Sequence, residues 1–213
     1  RVNVVARLTG NGRKRPLLIM GHTDVVNVDP KDATKYLTAE GPMAFEHFDE
    51  VIEIRGQTAE ALTVTRTQWG PVVARDSMGR PLVLAWTAHR PEATNLKMLG
   101  FETATTVQEA LQVANESGAP VQNIVVADTT GSIGWSLFGQ ITLRQGYDSR
   151  FPGDWSKPAT GWTRWRTPAE IPRIVNPLGG RLWTANTRTI TATTWLEFVG
   201  PGAYVLGARA GQI

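Results

Sequence analysis

Apolar and polar positions along this chain alternate in short runs more often than they recur at helical spacing. Val2, Val4, Val5, Ala6 and Leu8 form the first run, and Gly10-Asn11-Gly12 closes it with a turn signal. Leu17-Leu18-Ile19-Met20 is a continuous apolar stretch of strand length that ends at Gly21. Tyr36 to Glu46 reads as a polar connector, after which Glu50-Val51-Ile52-Glu53-Ile54-Arg55 alternates with period two. Gly56 to Glu60 turns the chain and Ala61 to Thr67 returns as a hairpin partner. Trp69-Gly70-Pro71-Val72-Val73, a turn over Asp76 to Arg80 and an apolar strand over Pro81 to Thr87 complete an antiparallel meander.

Helical spacing occurs twice. Glu92 to Leu99 carries Leu96 and Leu99 and ends at Gly100. Thr106 is a plausible N-cap for Val107 to Asn115, where Val107, Ala110, Leu111 and Ala114 fall at i, i+3, i+4 and i+7, and Gly118 and Pro120 stop the run. Neither helix carries a constellation for chemistry, so both read as core-facing layers. Next, Ile124-Val125-Val126 is bounded by the turn formers Asp128 and Gly131, and Ile133, Trp135 and Leu137 alternate as one face of a half-buried strand. A long stretch rich in Gly, Pro and Trp follows, with little periodicity. A loop of that length is usually functional or disordered, and its tryptophans argue against disorder. The expected class is α+β, an antiparallel sheet with segregated helices.

Composition narrows the function classes. The chain has 213 residues, 41% of them hydrophobic and 19% charged, enough for a sizeable core. A net charge of +3 with scattered Lys and Arg leaves no basic stripe for nucleic acid. Cysteine is absent, which removes disulfides and thiol chemistry. No apolar run approaches the roughly 20 residues a helix needs to cross a bilayer. The start at Arg1, in mid-strand and without Met or a signal peptide, points to a piece of a longer reading frame.

His22 and Asp24 stand just past a buried strand. A ring nitrogen with a carboxylate that orients it suits a metal; a histidine hydrogen-bonded to its neighbour is the simpler alternative. Asn3-Val4-Val5-Ala6-Arg7-Leu8 with Arg15-Pro16-Leu17-Leu18-Ile19-Met20-Gly21-His22-Thr23-Asp24-Val25-Val26 resembles the zinc metallopeptidases of the aminoacylase and dipeptidase group. The resemblance covers about the first 32 residues and implies His22 as a zinc ligand supported by Asp24. Beyond Asp32 the family's bridging Asp, its Glu-Glu pair and its distal His have no counterparts, and His47 and His89 lie in other contexts. Two residues cannot close a zinc site, so the pair reads as vestigial.

A second resemblance covers the rest. Gln122 to Trp135, Asp148-Ser149-Arg150-Phe151-Pro152, Gly161-Trp162 with Trp165, Asn176-Pro177-Leu178-Gly179-Gly180, Ala185-Asn186 and Leu206-Gly207-Ala208-Arg209 occur in the order found in the β-chain of the penicillin acylase family. Trp69 stands where that family often has His. Two pieces are therefore expected, residues 1–34 peptidase-like and 35–213 acylase-like, joined as a chimera or a fusion.

The acylase resemblance implies part of an N-terminal nucleophile hydrolase fold, in a parent enzyme that cleaves linear N-acyl amides. In that family a Ser, Thr or Cys at a new N-terminus attacks, with its own α-amino group as base. The position of Asn186 implies a side-chain donor to the oxyanion, and that of Arg209 a supporting role. Ser77, Ser117, Ser132 and Ser136 are internal and lack a free amine, so the chain alone is expected to be inactive. Implied partners are a small N-acyl amide substrate, an α-chain and the remainder of the β-chain, with neither nucleic acid nor membrane. Implied localisation is periplasmic or extracellular. No cofactor is required; calcium enters only through the parent, because Thr193 and Thr194 occupy the tail positions nearest its site. Two alternatives stay open, a zinc metallopeptidase fragment and a non-catalytic ligand-binding module.

Overall fold

The computed structural model describes residues 23–25, 27–29, 31–149, 151–187, 189, 198 and 209–212. The strands expected over Val2–Leu8 and Leu17–Met20 lie outside these. The chain divides into two compact units, Arg1–Ala85 with Phe151–Thr160, and Trp86–Arg150 with Gly161–Ile213. Antiparallel sheets and few helices match the α+β expectation. Among the described residues no helix is long and apolar enough to cross a membrane.

The first unit holds β1 (Thr23–Val25), β2 (Val28–Asp29), β3 (Asp32–Thr38), β4 (Gly41–Ala44), β5 (Glu46–Ile52), β6 (Glu60–Thr67), β7 (Gly70–Arg75) and β8 (Pro81–Leu84). They form a sheet in the order β1-β8-β7-β6-β5 and a second in the order β2-β3-β4. The expected polar connector over Tyr36 to Glu46 is in fact the β3–β4 hairpin. Polarity misled there because Tyr36 supplies the buried face, at 1% exposure, and contacts Phe45 and Trp69 at 5.1 and 5.5 Å between ring centroids. Its phenolic oxygen accepts the amide of Gln68 at 2.9 Å, which satisfies the polar end of a buried ring. Trp155 lies edge-on to Trp69 at 5.9 Å and is buried. β3 runs continuously across residues 34 and 35.

The second unit contains α1 (Val107–Glu116) and the strands β9 (Gln122–Ala127), β10 (Ile133–Phe138), β11 (Thr142–Gln145), β12 (Gly161–Trp165) and β13 (Ile174–Val175). The sheet order is β13-β10-β9, with β11 and β12 as a separate pair. α1 begins as expected: the Thr106 hydroxyl accepts the Glu109 amide at 3.2 Å and the Glu109 carboxylate accepts the Thr106 amide at 3.1 Å, a reciprocal cap.

The helix expected over Glu92 to Leu99 does not form. The chain makes 3-10 turns at Pro91–Ala93 and Lys97–Glu102 instead, and Leu96 and Leu99 are exposed at 75% and 57%. Asn95 interrupts the run. Its side-chain oxygen accepts the amides of Lys97 and Gly118 at 3.0 and 2.9 Å, and its amide donates to the Glu116 carbonyl at 3.1 Å. An Asn that bonds the backbone this fully competes with helix hydrogen bonding.

β10 is buried on both faces rather than one. Trp135 and Leu137 point into a cluster with Ile141, Ile171 and Phe198. On the opposite face Gly134 lets α1 approach so closely that an added Cβ would lie 2.5 Å from the Val107 methyl. The aperiodic stretch beyond it is not one loop, for it contains β11, β12 and β13. Arg164 pairs with both carboxylate oxygens of Glu170 at 2.7 and 2.8 Å, and Glu170 caps the turn it ends.

Candidate functional site

Four of the acylase-like motifs are bonded in two pairs, the Gln122–Trp135 segment with Asn176 and Asn186 with Arg209. Asp128 directly follows β9, and its carboxylate accepts the Thr130 hydroxyl at 2.6 Å, the amides of Thr130 and Ser132 at 2.9 and 3.1 Å, and the Val107 amide at 3.2 Å. The Thr130 hydroxyl, followed by these backbone amides, holds the carboxyl below its ordinary range. One side chain thereby ties the β9–β10 turn to the first turn of α1, where a negative charge is favoured.

Asn176 closes that hairpin from the far side. Its side-chain oxygen accepts the Ile133 backbone amide at 2.9 Å, and its backbone N–H donates to the Ile133 carbonyl at 2.9 Å. Its φ of 46° lies in the left-handed region, which Asn tolerates. A turn follows, with the Gly180 amide on the Pro177 carbonyl at 2.8 Å. The Asn-Pro pair signals a turn in the sequence. What no pattern shows is that its side chain spans 43 residues to reach the other motif.

Asn186 stands on a tight turn. Ala185 and Asn186 both have positive φ, 44° and 60°, and the Thr187 amide donates to the Thr184 carbonyl at 2.7 Å, as in a type I′ turn. The Thr187 hydroxyl donates to the same carbonyl at 2.6 Å. Left-handed backbone at Ala185 costs roughly 1–2 kcal/mol, a strain typical of functional sites. Arg209, at the start of the turn that leads into Ala210–Gln212, donates to Asn186 Oδ1 at 2.7 Å and to the Ala185 carbonyl at 3.1 Å. A guanidinium has only donors, so the atom facing it must be the amide oxygen. That orientation turns the Nδ2 hydrogens of Asn186 away from Arg209, on a side chain exposed to solvent. The structure thus brings together the two residues that the sequence singled out separately, 23 positions apart.

Asn115, at the end of α1, is 2% exposed and uses every hydrogen-bonding position it has. Its amide donates to Ser136 Oγ and the Leu137 carbonyl at 2.9 and 2.7 Å, and its oxygen accepts Nε and Nη2 of Arg173 at 3.1 and 2.7 Å. Ser136 Oγ donates onward to the Pro172 carbonyl at 3.0 Å, and Ser117 Oγ donates to the Val113 carbonyl at 2.7 Å. These two serines are structural. Sequence reasoning missed Asn115 and Arg173, because a polar residue on an amphipathic helix gives no sign of which face is covered.

The metal candidates fall only partly within the described residues. His22 lies outside the described residues, and Asp24 sits in β1 opposite Val83. Among the described residues no group of three or more His, Asp and Glu is placed to hold an ion. Thr193 and Thr194 also lie outside the described residues, and hydroxyls alone make a poor calcium donor set beside carboxylates.

Comparison with known proteins places these motifs. Residues 21–213 match the family described as penicillin amidase, a match that begins before His22 and runs through the expected join at 34 and 35. The penicillin acylase 2 proenzyme of Pseudomonas sp. (strain SE83) is 26% identical over 141 residues, covering 65% of this chain and 18% of the proenzyme. The thermostable penicillin G acylase from Alcaligenes faecalis superposes with a TM-score of 0.69 at 24% identity, over 88% of this chain and 34% of that one, a likeness of fold. These matches support the acylase resemblance and give none to the metallopeptidase one.

Proposed function

This chain belongs to the penicillin amidase family, and we propose on that premise that it supplies the oxyanion-binding part of an amidohydrolase acting on linear N-acyl amides. The matches cover 18% of the proenzyme and 34% of the solved acylase, which supports a nucleophile supplied by polypeptide beyond this chain. That polypeptide, with its N-terminal Ser, Thr or Cys, and the N-acyl amide are the two partners.

The observation that carries the reading is the pair Arg209–Asn186 on a strained turn. Attack on an amide carbonyl moves charge onto its oxygen. A neutral amide N–H held in advance stabilises that charge without rearranging as the reaction proceeds. Arg209 fixes the amide by its oxygen and adds positive charge behind it, so the Nδ2–H donors are both aimed and strengthened. A backbone N–H from elsewhere in the protein completes the pair of donors.

The test uses an acylase-length protein containing this segment. Asn186→Ala should lower kcat about 10²- to 10³-fold with little change in KM, as expected for a donor engaged mainly in the transition state. Arg209→Ala should follow in the same direction, and Arg209→Lys should keep part of the loss away. An unchanged kcat for Asn186→Ala overturns the reading. The 213-residue chain alone should not hydrolyse a chromogenic acyl anilide, and turnover by the pure chain overturns that half.

A further inference from the structure

The β5–β6 hairpin is a two-stranded ribbon for most of its length. The ladder pairs Glu46 to Ile52 with Glu60 to Arg66, whereas β6 meets β7 only at Arg66 and Thr67. Among the described residues nothing else pairs with either strand, and every residue of β5 is exposed. An isolated two-stranded hairpin is at best marginally stable in water, so this ribbon lacks the usual third layer or strand.

Its two faces differ in chemistry. Directly opposed residues share a face, which puts Phe48 with Val64, Glu50 with Leu62 and Ile52 with Glu60 on one side. That side is an apolar strip with an acidic rim, and Phe48, Ile52 and Leu62 are 42%, 46% and 47% exposed. The other side is mostly polar: Thr63 donates to Asp49 at 2.7 Å, and the Thr65 hydroxyl meets His47 Nδ1 at 3.2 Å. Arg66 lies over the Phe48 ring at 4.9 Å and pairs with Glu46 at 2.8 Å, at the end where the ribbon joins the sheet.

We propose that the Phe48–Ile52–Leu62–Val64 face of the ribbon is a docking surface for the remaining polypeptide of an acylase-length protein, through an apolar segment flanked by Lys or Arg. The inference rests on the reading above that such polypeptide exists. Two facts select this occupant. The relatives carry most of their length outside the part this chain matches, so a covering layer is available. The rim residues Glu50 and Glu60 flank the apolar strip with negative charge, which a segment carrying Lys or Arg complements.

Hydrogen exchange and thermal unfolding, run on the 213-residue chain and on the acylase-length protein from the same gene, test this. Amides of residues 47–52 and 60–65 should exchange faster in the chain alone, by tenfold or more. Leu62→Lys places an ammonium opposite Glu50, so it should leave the chain's Tm unchanged while lowering that of the longer protein by several degrees. Equal exchange in the two proteins, an unshifted Tm for the longer variant, concentration-dependent protection of the chain alone, or a gene with no further acylase-like sequence overturns the proposal. An inactive longer protein with a protected ribbon would sink the amidohydrolase reading alone; an active one with an unprotected ribbon would sink the docking inference alone.

Discussion

The β9–β10 hairpin and the β5–β6 hairpin start from similar local material, β-branched and aromatic residues alternating with polar ones on either side of a glycine turn. They end in opposite environments. β10 is covered on both faces, by α1 over Gly134 and by Ile141, Ile171 and Phe198 against Trp135 and Leu137. β5 is exposed on both. Alternation therefore specifies an extended backbone in both cases, and what covers each face depends on elements distant in sequence. The difference also separates two kinds of polar group. In the buried hairpin Asn115 satisfies all its hydrogen-bonding positions inside the protein, whereas Glu50 and Glu60 on the ribbon face water.

The comparison predicts a graded set of effects. Trp135→Ala should have the largest, about 3–5 kcal/mol, because a fully buried ring is lost from a closed cluster. Urea unfolding followed by far-UV circular dichroism measures it, and a loss under 1 kcal/mol would show that β10 is not the core of its unit. Asn115→Leu should cost about 1–3 kcal/mol by stranding Arg173, Ser136 and the Leu137 carbonyl, read in the same experiment. Thr106→Ala removes half of the reciprocal cap and should cost about 1 kcal/mol, with faster exchange confined to the first turn of α1.

Acid provides a fourth test. The Asp128 carboxyl is held below its ordinary range in the folded protein, so its contribution is present above the unfolded value near pH 4 and fades as pH falls from there. Asp128→Asn should lower stability at pH 7 and flatten the decline between about pH 5 and 3. A parallel curve for the variant would mean that the Thr130 and amide contacts do not favour the charged form. At the small end, Leu62→Ala on the ribbon should fall within about 0.5 kcal/mol in the isolated chain, as exposed substitutions do. A cost comparable to Trp135→Ala would erase the contrast between the two hairpins.

Much of the site was legible because its residues are also turn residues. Gly131, Asn176, Gly180 and Asn186 all adopt positive φ, so the chemistry that marks a turn also marks the motif. Thr106 with Glu109 was readable for the same reason, since a reciprocal cap is local. Leu96 and Leu99 misled because helical spacing is only a prior. Asn95 found better partners at Glu116 and Gly118, some twenty residues away. Tyr36 misled in the opposite sense, as a buried aromatic in a polar stretch.

The sequence alone determined where the backbone is extended, where α1 begins, and which turns admit left-handed residues, because each of these follows from sterics and hydrogen bonds within a few residues. It also carried the family, through motifs in a fixed order. The tertiary structure alone decided which strand faces are covered, that Asn176 latches the β9–β10 turn, and that Arg209 holds Asn186 by its oxygen. Those outcomes depend on contacts between residues tens of positions apart, and a local pattern holds no information about which distant side chain will arrive.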